Sequence, residues 1–107
     1  IGWLKKQSQR PTGLLYISDH GESLGENNLY LHGLPYAIAP EVQKKVPLIT
    51  WFSPALSQQL ALDTHCVAGL TDQAWRHDHL FHTVLGMMQV QTAAYQAALD
   101  MFKTCRR

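Results

Sequence analysis

Residues 14–22 read LLYISDHGE, and this stretch decides the fold expected for the chain. Leu14 to Ile17 is a short apolar run, typical of a strand buried on both faces of a parallel sheet. Asp19 and His20 follow it directly. In open α/β sheets ligands gather at the carboxyl ends of strands, where the chain turns and neighbouring side chains can converge. Gly21 permits such a turn, so the stretch predicts a ligand site at a strand end.

The residue types at this strand end suit a metal. Carboxylate oxygen and imidazole nitrogen are both good zinc ligands, which makes Asp19 and His20 candidates. The three letters Asp-His-Gly alone favour a plainer interpretation, in which Asp19 caps a turn and His20 is an ordinary loop histidine. The longer string around them has to decide between the two.

Moving outward, the chain alternates strand and helix patterns. Pro47 to Phe52 reads as a second buried strand. Residues 18–39 form a long stretch rich in Gly, Asn and His, and loops of that length are usually functional or disordered. Two strands cannot make a stable parallel sheet alone, so we expect the remaining strands to come from outside this sequence. The start at Ile1 also suggests a fragment.

Several helices are predicted around these strands. Pro40 suits the first position of a short helix, and Ser53 is a typical N-cap. Apolar residues at helical spacing predict a helix over about 78–89, with Asp78 as its N-cap. Residues 93–103 repeat the pattern more weakly and are equally compatible with an irregular tail.

Composition limits the possible functions. The 107 residues are 46% hydrophobic and 16% charged, with a formal net charge of +1, which is typical of one globular domain at most. The basic residues are scattered, which argues against nucleic acid. Apolar runs are only a few residues long, so no segment here predicts a membrane span or a signal peptide.

The two cysteines, Cys66 and Cys105, leave alternatives open on these grounds. They lack the spacing of a metal site. Paired, they would stabilise the fold by roughly 4 kcal/mol in the chain-entropy model. Otherwise they would be two free, partly buried thiols.

A longer string carries a family resemblance. Residues 16–35 read YISDHGESLGENNLYLHGLP, and residues 39–53 read APEVQKKVPLITWFS. Together with HDHLFHTVLG at 77–86 and YQAALDMFKTCR at 95–106, they cover nearly the whole chain. The first string is the most specific. The sequence resembles the lipid A phosphoethanolamine transferases, including the colistin-resistance enzymes, within the alkaline phosphatase and sulfatase superfamily.

The resemblance implies a fold and a location. Residues 1–107 would be the C-terminal portion of one sulfatase-like catalytic domain, an alkaline-phosphatase-like parallel-sheet sandwich with helices on both faces, incomplete in this chain. The catalytic domain would lie in the bacterial periplasm as a monomer, attached to the inner membrane by an N-terminal domain absent here. A periplasmic location permits disulfides, and in this disulfide-rich family Cys66–Cys105 becomes the favoured pair.

The resemblance also implies a reaction. Asp19 and His20 match two zinc ligands, and a threonine nucleophile and a glutamate, both upstream of this sequence, would complete the site. The threonine would take phosphoethanolamine from phosphatidylethanolamine and pass it to a phosphate of lipid A, the modification linked to polymyxin resistance. His32 matches a histidine near the substrate phosphate, with a structural loop histidine as the equal alternative. The isolated chain is expected to be inactive, because it lacks the nucleophile.

Other residues receive lesser roles. Glu22 is a candidate acceptor that orients a metal ligand, or it faces solvent. The group His77, Asp78, His79 and His82 resembles a metal cluster on paper, but its place at the start of an apolar helix favours a structural role. Two other functions stay open: a different transferase or hydrolase of the superfamily, acting on phosphoglycerol or core heptose, and a non-catalytic module.

Overall fold

The computed structural model describes residues 1–7 and 10–107. The described residues form short helices and strands. The helices are α1 Gly2–Lys6, α2 Glu41–Lys44, α3 Pro54–Gln59, α4 Thr64–Ala68 and α5 Asp78–Met87, and the strands are β1 Gly13–Ile17, β2 Ser23–Leu24, β3 Tyr30–Leu31 and β4 Leu48–Phe52. Three 3₁₀ turns cover Glu26–Asn28, Ala97–Leu99 and Lys103–Cys105. The elements fall into two compact units, Leu14–Trp51 on one hand and Ile1–Gly13 with Phe52–Arg107 on the other.

β1 and β4 are neighbours in a two-stranded sheet. The amide of Ser53 donates to the carbonyl of Thr12 at 2.8 Å, so the residue after β4 lies beside the residue before β1. The two strands therefore run in opposite directions, although their apolar runs suggested parallel neighbours. Tyr16 in β1 and Ile49 in β4 are each about half exposed. Within this chain the pair is covered only in part, and burial on both faces stays a prediction for the complete sheet.

The stretch predicted as a long loop contains a small hairpin. β2 pairs with β3 in antiparallel register, with Ser23 opposite Leu31 and Leu24 opposite Tyr30. Beneath it the side-chain amide of Gln43 donates to Ser23 Oγ at 2.7 Å, and both residues are buried. This polar contact ties the hairpin to α2.

The other unit is built around α5 and the C-terminal tail. Its buried apolar side chains come from the end of α3, the following turn and the tail: Leu60, Leu62, Met101, Phe102 and Cys105. Thr83 of α5 is fully buried, and its hydroxyl accepts from the amide of Met101 at 3.0 Å. The predicted 78–89 helix is confirmed with an end two residues earlier. The N-cap is His77, so Asp78 is the first helical residue and not the cap.

Caps define the smaller helices. Ser53 accepts from the amide of Leu56 at 3.2 Å and is the predicted N-cap of α3. Pro40 is the residue before α2, one position earlier than predicted. Asp63 caps α4, where its carboxylate accepts from two backbone amides at 2.9 and 3.0 Å. The sequence analysis did not predict α4.

Cys66 on α4 and Cys105 in the tail form a disulfide, with their Cα atoms 5.5 Å apart. The pairing that the family resemblance favoured is confirmed. The bond closes a separation of 39 residues, which corresponds to about 4 kcal/mol in the chain-entropy model. Residues 93–103 contain the 3₁₀ turn Ala97–Leu99 and the first residue of the turn Lys103–Cys105, and no α-helix, so the irregular alternative for the tail is the one observed.

Candidate metal centre

The turn after β1 brings Asp19 and His20 together. Ser18 Oγ donates to the carbonyl of His20 at 2.8 Å and closes the turn. Asp19 Oδ2 then lies 3.7 Å from His20 Nε2. A tetrahedral zinc ion with bonds of about 2.0 to 2.1 Å holds neighbouring ligand atoms about 3.3 to 3.4 Å apart. The separation of these two atoms is slightly longer than that value, so the pair has the chemistry and nearly the spacing of two zinc ligands.

The ring of His20 is oriented by the backbone. Its Nδ1 lies 2.9 Å from the carbonyl oxygen of Gly21, which can only accept a hydrogen bond. Nδ1 therefore carries the proton, and Nε2 keeps its lone pair on the side facing Asp19. A metal-ligating histidine is usually held through its other nitrogen in this way.

Asp19 is the more open of the two side chains, at 88% exposed against 40% for His20. Its pKa is lowered by a hydrogen bond from its own backbone amide and then by the neighbouring His20. The carboxyl is therefore in its anionic form, which is the form that binds a metal.

Gly21 is required for a reason that the sequence did not indicate. Its amide donates to the carbonyl of Gln43 at 3.1 Å, which places the turn directly against the backbone of α2. A Cβ at this position would overlap the carbonyl oxygen of Val42. The glycine is needed for close approach of two backbone segments, and its φ angle does not lie in the left-handed region.

His32 and Glu22 lie next to the His20 ring. The two imidazoles stack with centroids 3.8 Å apart. Glu22 Oε2 is 3.1 Å from His32 Nδ1 and 4.0 Å from His20 Nδ1. Ligand atoms of His20, Glu22 and His32 all fall within 4.8 Å of one another, so this group also has the composition and spacing to hold a cation. Glu22 is within hydrogen-bond distance of His32, and its role as an acceptor that orients a metal ligand stays a prediction.

An unusual backbone conformation precedes His32. Leu31 has φ of +63°, in the left-handed region that branched side chains rarely adopt. Asn27 and Asn28 share this region at +55° and +59°, which asparagine tolerates better. Strained residues of this kind cluster at functional sites, and the one at Leu31 turns the chain into His32. No sequence signal marked Leu31.

An open cavity of about 250 Å³ adjoins the two stacked histidines. It mixes polar, aromatic and basic side chains with apolar ones. The lining residues are His20, His32, Gly33, Leu34, Tyr36, Ala39, Gln43 and Lys44.

Among the described residues, no helix has both the length and the apolar character needed to cross a bilayer.

The histidines of α5 have structural partners. His82 is buried, and its Nδ1 accepts from the amide of Gln96 at 3.0 Å. His79 packs edge-on against Trp75, with centroids 5.2 Å apart. These contacts agree with the structural role expected for this group.

Comparisons with known proteins identify the family. Residues 1–90 match the sulfatase family. The chain is 50% identical to phosphoethanolamine transferase EptA of Escherichia coli strain K12, over all of this chain and 20% of that protein. The chain belongs to the sulfatase family, and it spans about a fifth of the length of that relative.

Two solved structures share its fold. The integral membrane protein lipooligosaccharide phosphoethanolamine transferase A of Neisseria meningitidis superposes with a TM-score of 0.93 at 41% identity, over all of this chain and 20% of that one. The C-terminal periplasmic domain of phosphoethanolamine transferase EptC of Campylobacter jejuni gives 0.78 at 40% identity, over 94% of this chain and 31% of that one. The predicted α/β class and the resemblance to phosphoethanolamine transferases are confirmed, and the fold is part of the alkaline-phosphatase-like one.

Proposed function

We propose that this chain is the C-terminal portion of the catalytic domain of a zinc-dependent phosphoethanolamine transferase. The complete enzyme would move phosphoethanolamine from phosphatidylethanolamine to a phosphate of lipid A. One observation carries the proposal: Asp19 Oδ2 and His20 Nε2 lie 3.7 Å apart at a strand end. This pair occurs in a chain that is 50% identical to a phosphoethanolamine transferase.

Asp19 and His20 would hold the zinc ion together with a threonine and a glutamate outside this sequence. Bound zinc lowers the pKa of a coordinated hydroxyl and neutralises phosphoryl charge. Asp19 contributes an anionic oxygen. His20 contributes a neutral nitrogen, because the Gly21 carbonyl holds the proton on Nδ1.

His32 would act on the substrate side. Its Nδ1 faces Glu22 at 3.1 Å, so Nε2 is the nitrogen left to exchange a proton with a phosphoryl oxygen or a leaving group. Glu22 would hold the His32 ring in this orientation through the contact with Nδ1. The covalent intermediate would form on the threonine, so the isolated 107-residue chain is inactive in this scheme.

The setting of the reaction is part of the same proposal. The Neisseria relative is named an integral membrane protein, and the Campylobacter domain is named periplasmic. The catalytic domain would accordingly lie in the periplasm, attached to the inner membrane by the N-terminal part of the enzyme. Modification of lipid A phosphates would reduce its negative charge, which links the activity to polymyxin resistance.

The test uses the complete enzyme with Asp19→Ala or His20→Ala, and with Asp78→Ala as a matched control on an exposed carboxylate outside the site. Each site variant is expected to lose zinc and to slow transfer by roughly a hundredfold or more. Elemental analysis measures the zinc, and mass spectrometry of lipid A measures the added phosphoethanolamine. Full activity and full zinc content in either site variant would refute the assignment. Unmodified lipid A with a modified core heptose would instead support the alternative acceptor.

A further inference from the structure

Lys44 is an unusual lysine in the wall of the cavity. Its side chain is only 19% exposed, whereas that of the adjacent Lys45 is 80% exposed. Lys44 Nζ lies 2.9 Å from Glu41 Oε1 and 5.0 Å from the centre of the Tyr36 ring. A carboxylate and an aromatic face together hold the ammonium group in one place at the cavity.

The position of Lys44 is coupled to the ligand-bearing turn. The Gly21 amide donates to the carbonyl of Gln43, the residue that precedes Lys44. Gln43 is also fixed by its buried contact with Ser23. The backbone that carries Lys44 is therefore held against the turn that carries Asp19 and His20.

The charged side chains around the cavity favour the binding of an anion near Lys44. Glu41 is shared between Lys44 and Lys45, with Oε2 3.3 Å from Lys45 Nζ, so two cations face one carboxylate. Near the histidines, Asp19 and Glu22 are acidic. Lys44 is the basic side chain that lines the same cavity as His20 and His32. An ammonium group is a compact charge with three donors, which suits the oxygens of a phosphate.

We propose that Lys44 binds a phosphate group of a substrate in this cavity, beside His32. The proposal rests on the transferase function proposed above. Two substrates carry such a group, the phosphodiester of the donor lipid and the phosphate of the acceptor. Lys44 touches the substrate in either case, and its charge helps to hold the phosphate close to the histidines.

The experiment compares Lys44→Gln with Lys45→Gln in the complete enzyme. Lys45 is the matched control, because it lies on the same short segment and pairs with the same Glu41. The donor step is followed as diacylglycerol released from a fluorescent phosphatidylethanolamine. The acceptor step is followed as phosphoethanolamine transferred to purified lipid A, with each substrate varied in turn.

Loss of a charged hydrogen bond to phosphate is expected to raise KM for one substrate by about 10- to 100-fold in Lys44→Gln. A rise for the donor assigns Lys44 to its phosphodiester, and a rise for lipid A assigns it to the acceptor phosphate. Lys44→Arg should recover most of the loss, and Lys45→Gln should change KM less than about twofold. Thermal midpoint and zinc content are measured for every variant. If Lys44→Gln does not fold, Lys44→Met, which keeps the apolar stem, takes its place.

The inference is wrong if both KM values of the Lys44 variant match those of Lys45→Gln while the wild-type enzyme transfers phosphoethanolamine normally. A wild-type enzyme that transfers no phosphoethanolamine to any acceptor would overturn the proposed function and this inference together. The two failures are therefore distinguishable from the wild-type control alone.

Discussion

Replacement of Gly21 by alanine tests whether the close approach of the turn and α2 is needed. The new methyl group would overlap the carbonyl oxygen of Val42, and it would lie 2.9 Å from the carbonyl carbon of Val42 and 3.1 Å from the Cα of Gln43. All three are backbone atoms, so no side-chain rotation relieves the contact. Either the turn or α2 has to move.

The cost of Gly21→Ala has two parts. Overpacking of this kind costs about 1 to 3 kcal/mol. Displacement also breaks the 3.1 Å hydrogen bond from the Gly21 amide to Gln43, which contributes about 1 kcal/mol. We expect the free energy of unfolding to fall by about 2 to 4 kcal/mol in total.

The control for this prediction is Gly2→Ala. A Cβ at Gly2 meets nothing within 4 Å, and the residue lies in α1. Alanine is there expected to be neutral or to stabilise by up to about 1 kcal/mol. Urea denaturation of the complete enzyme and of both variants, followed by tryptophan fluorescence, gives the comparison. A Gly21→Ala enzyme whose stability stays within about 0.5 kcal/mol of wild type would refute the steric argument.

Three further predictions concern the unit that contains α5. Asp100 is buried and accepts hydrogen bonds from Tyr95 and Arg106. Asp100→Ala should therefore lower the free energy of unfolding, measured by urea denaturation, by about 3 to 5 kcal/mol, whereas the exposed Asp78→Ala should lower it by less than about 1 kcal/mol. Equal losses in the two variants would contradict this. Burial, and then the hydrogen bond to Asp100, raise the pKa of Tyr95. Its contribution is fully present below the unfolded pKa of about 10 and is lost as the pH rises through the folded pKa, so the stability difference between wild type and Tyr95→Phe should stay constant up to about pH 10 and shrink above it; a difference that is unchanged above that pH would count against this. Cys66→Ser opens the disulfide and should lower the free energy of unfolding by about 4 kcal/mol, and added reductant should lower that of the wild type but not that of the variant.

The parts of the fold that were predictable depend on local patterns. β1 is marked by an apolar run within one strand, and α5 is marked by apolar residues at helical spacing within one helix. The sequence alone therefore located both elements. The disulfide followed from the family resemblance, because two cysteines 39 residues apart give no geometric information by themselves.

The parts that were missed depend on distant contacts. Nothing near β2 and β3 shows that they pair, because each has only two residues and the register comes from the turn between them. The direction of β4 relative to β1 is set across more than thirty residues. Lys44 and Lys45 are adjacent residues of the same type, so the sequence does not distinguish them. The fold places Lys44 in the cavity wall and leaves Lys45 in solvent.

The Asp-His-Gly motif now has a separate physical requirement at each position. To hold the proposed zinc ion, Asp19 needs to be ionised, and its own amide hydrogen bond favours that state. His20 needs one nitrogen without a proton, and the Gly21 carbonyl fixes which one it is. Gly21 needs to lack a side chain, because α2 lies against its backbone. A side chain at the third position therefore either displaces the turn that carries the first two residues or moves the helix that carries Lys44.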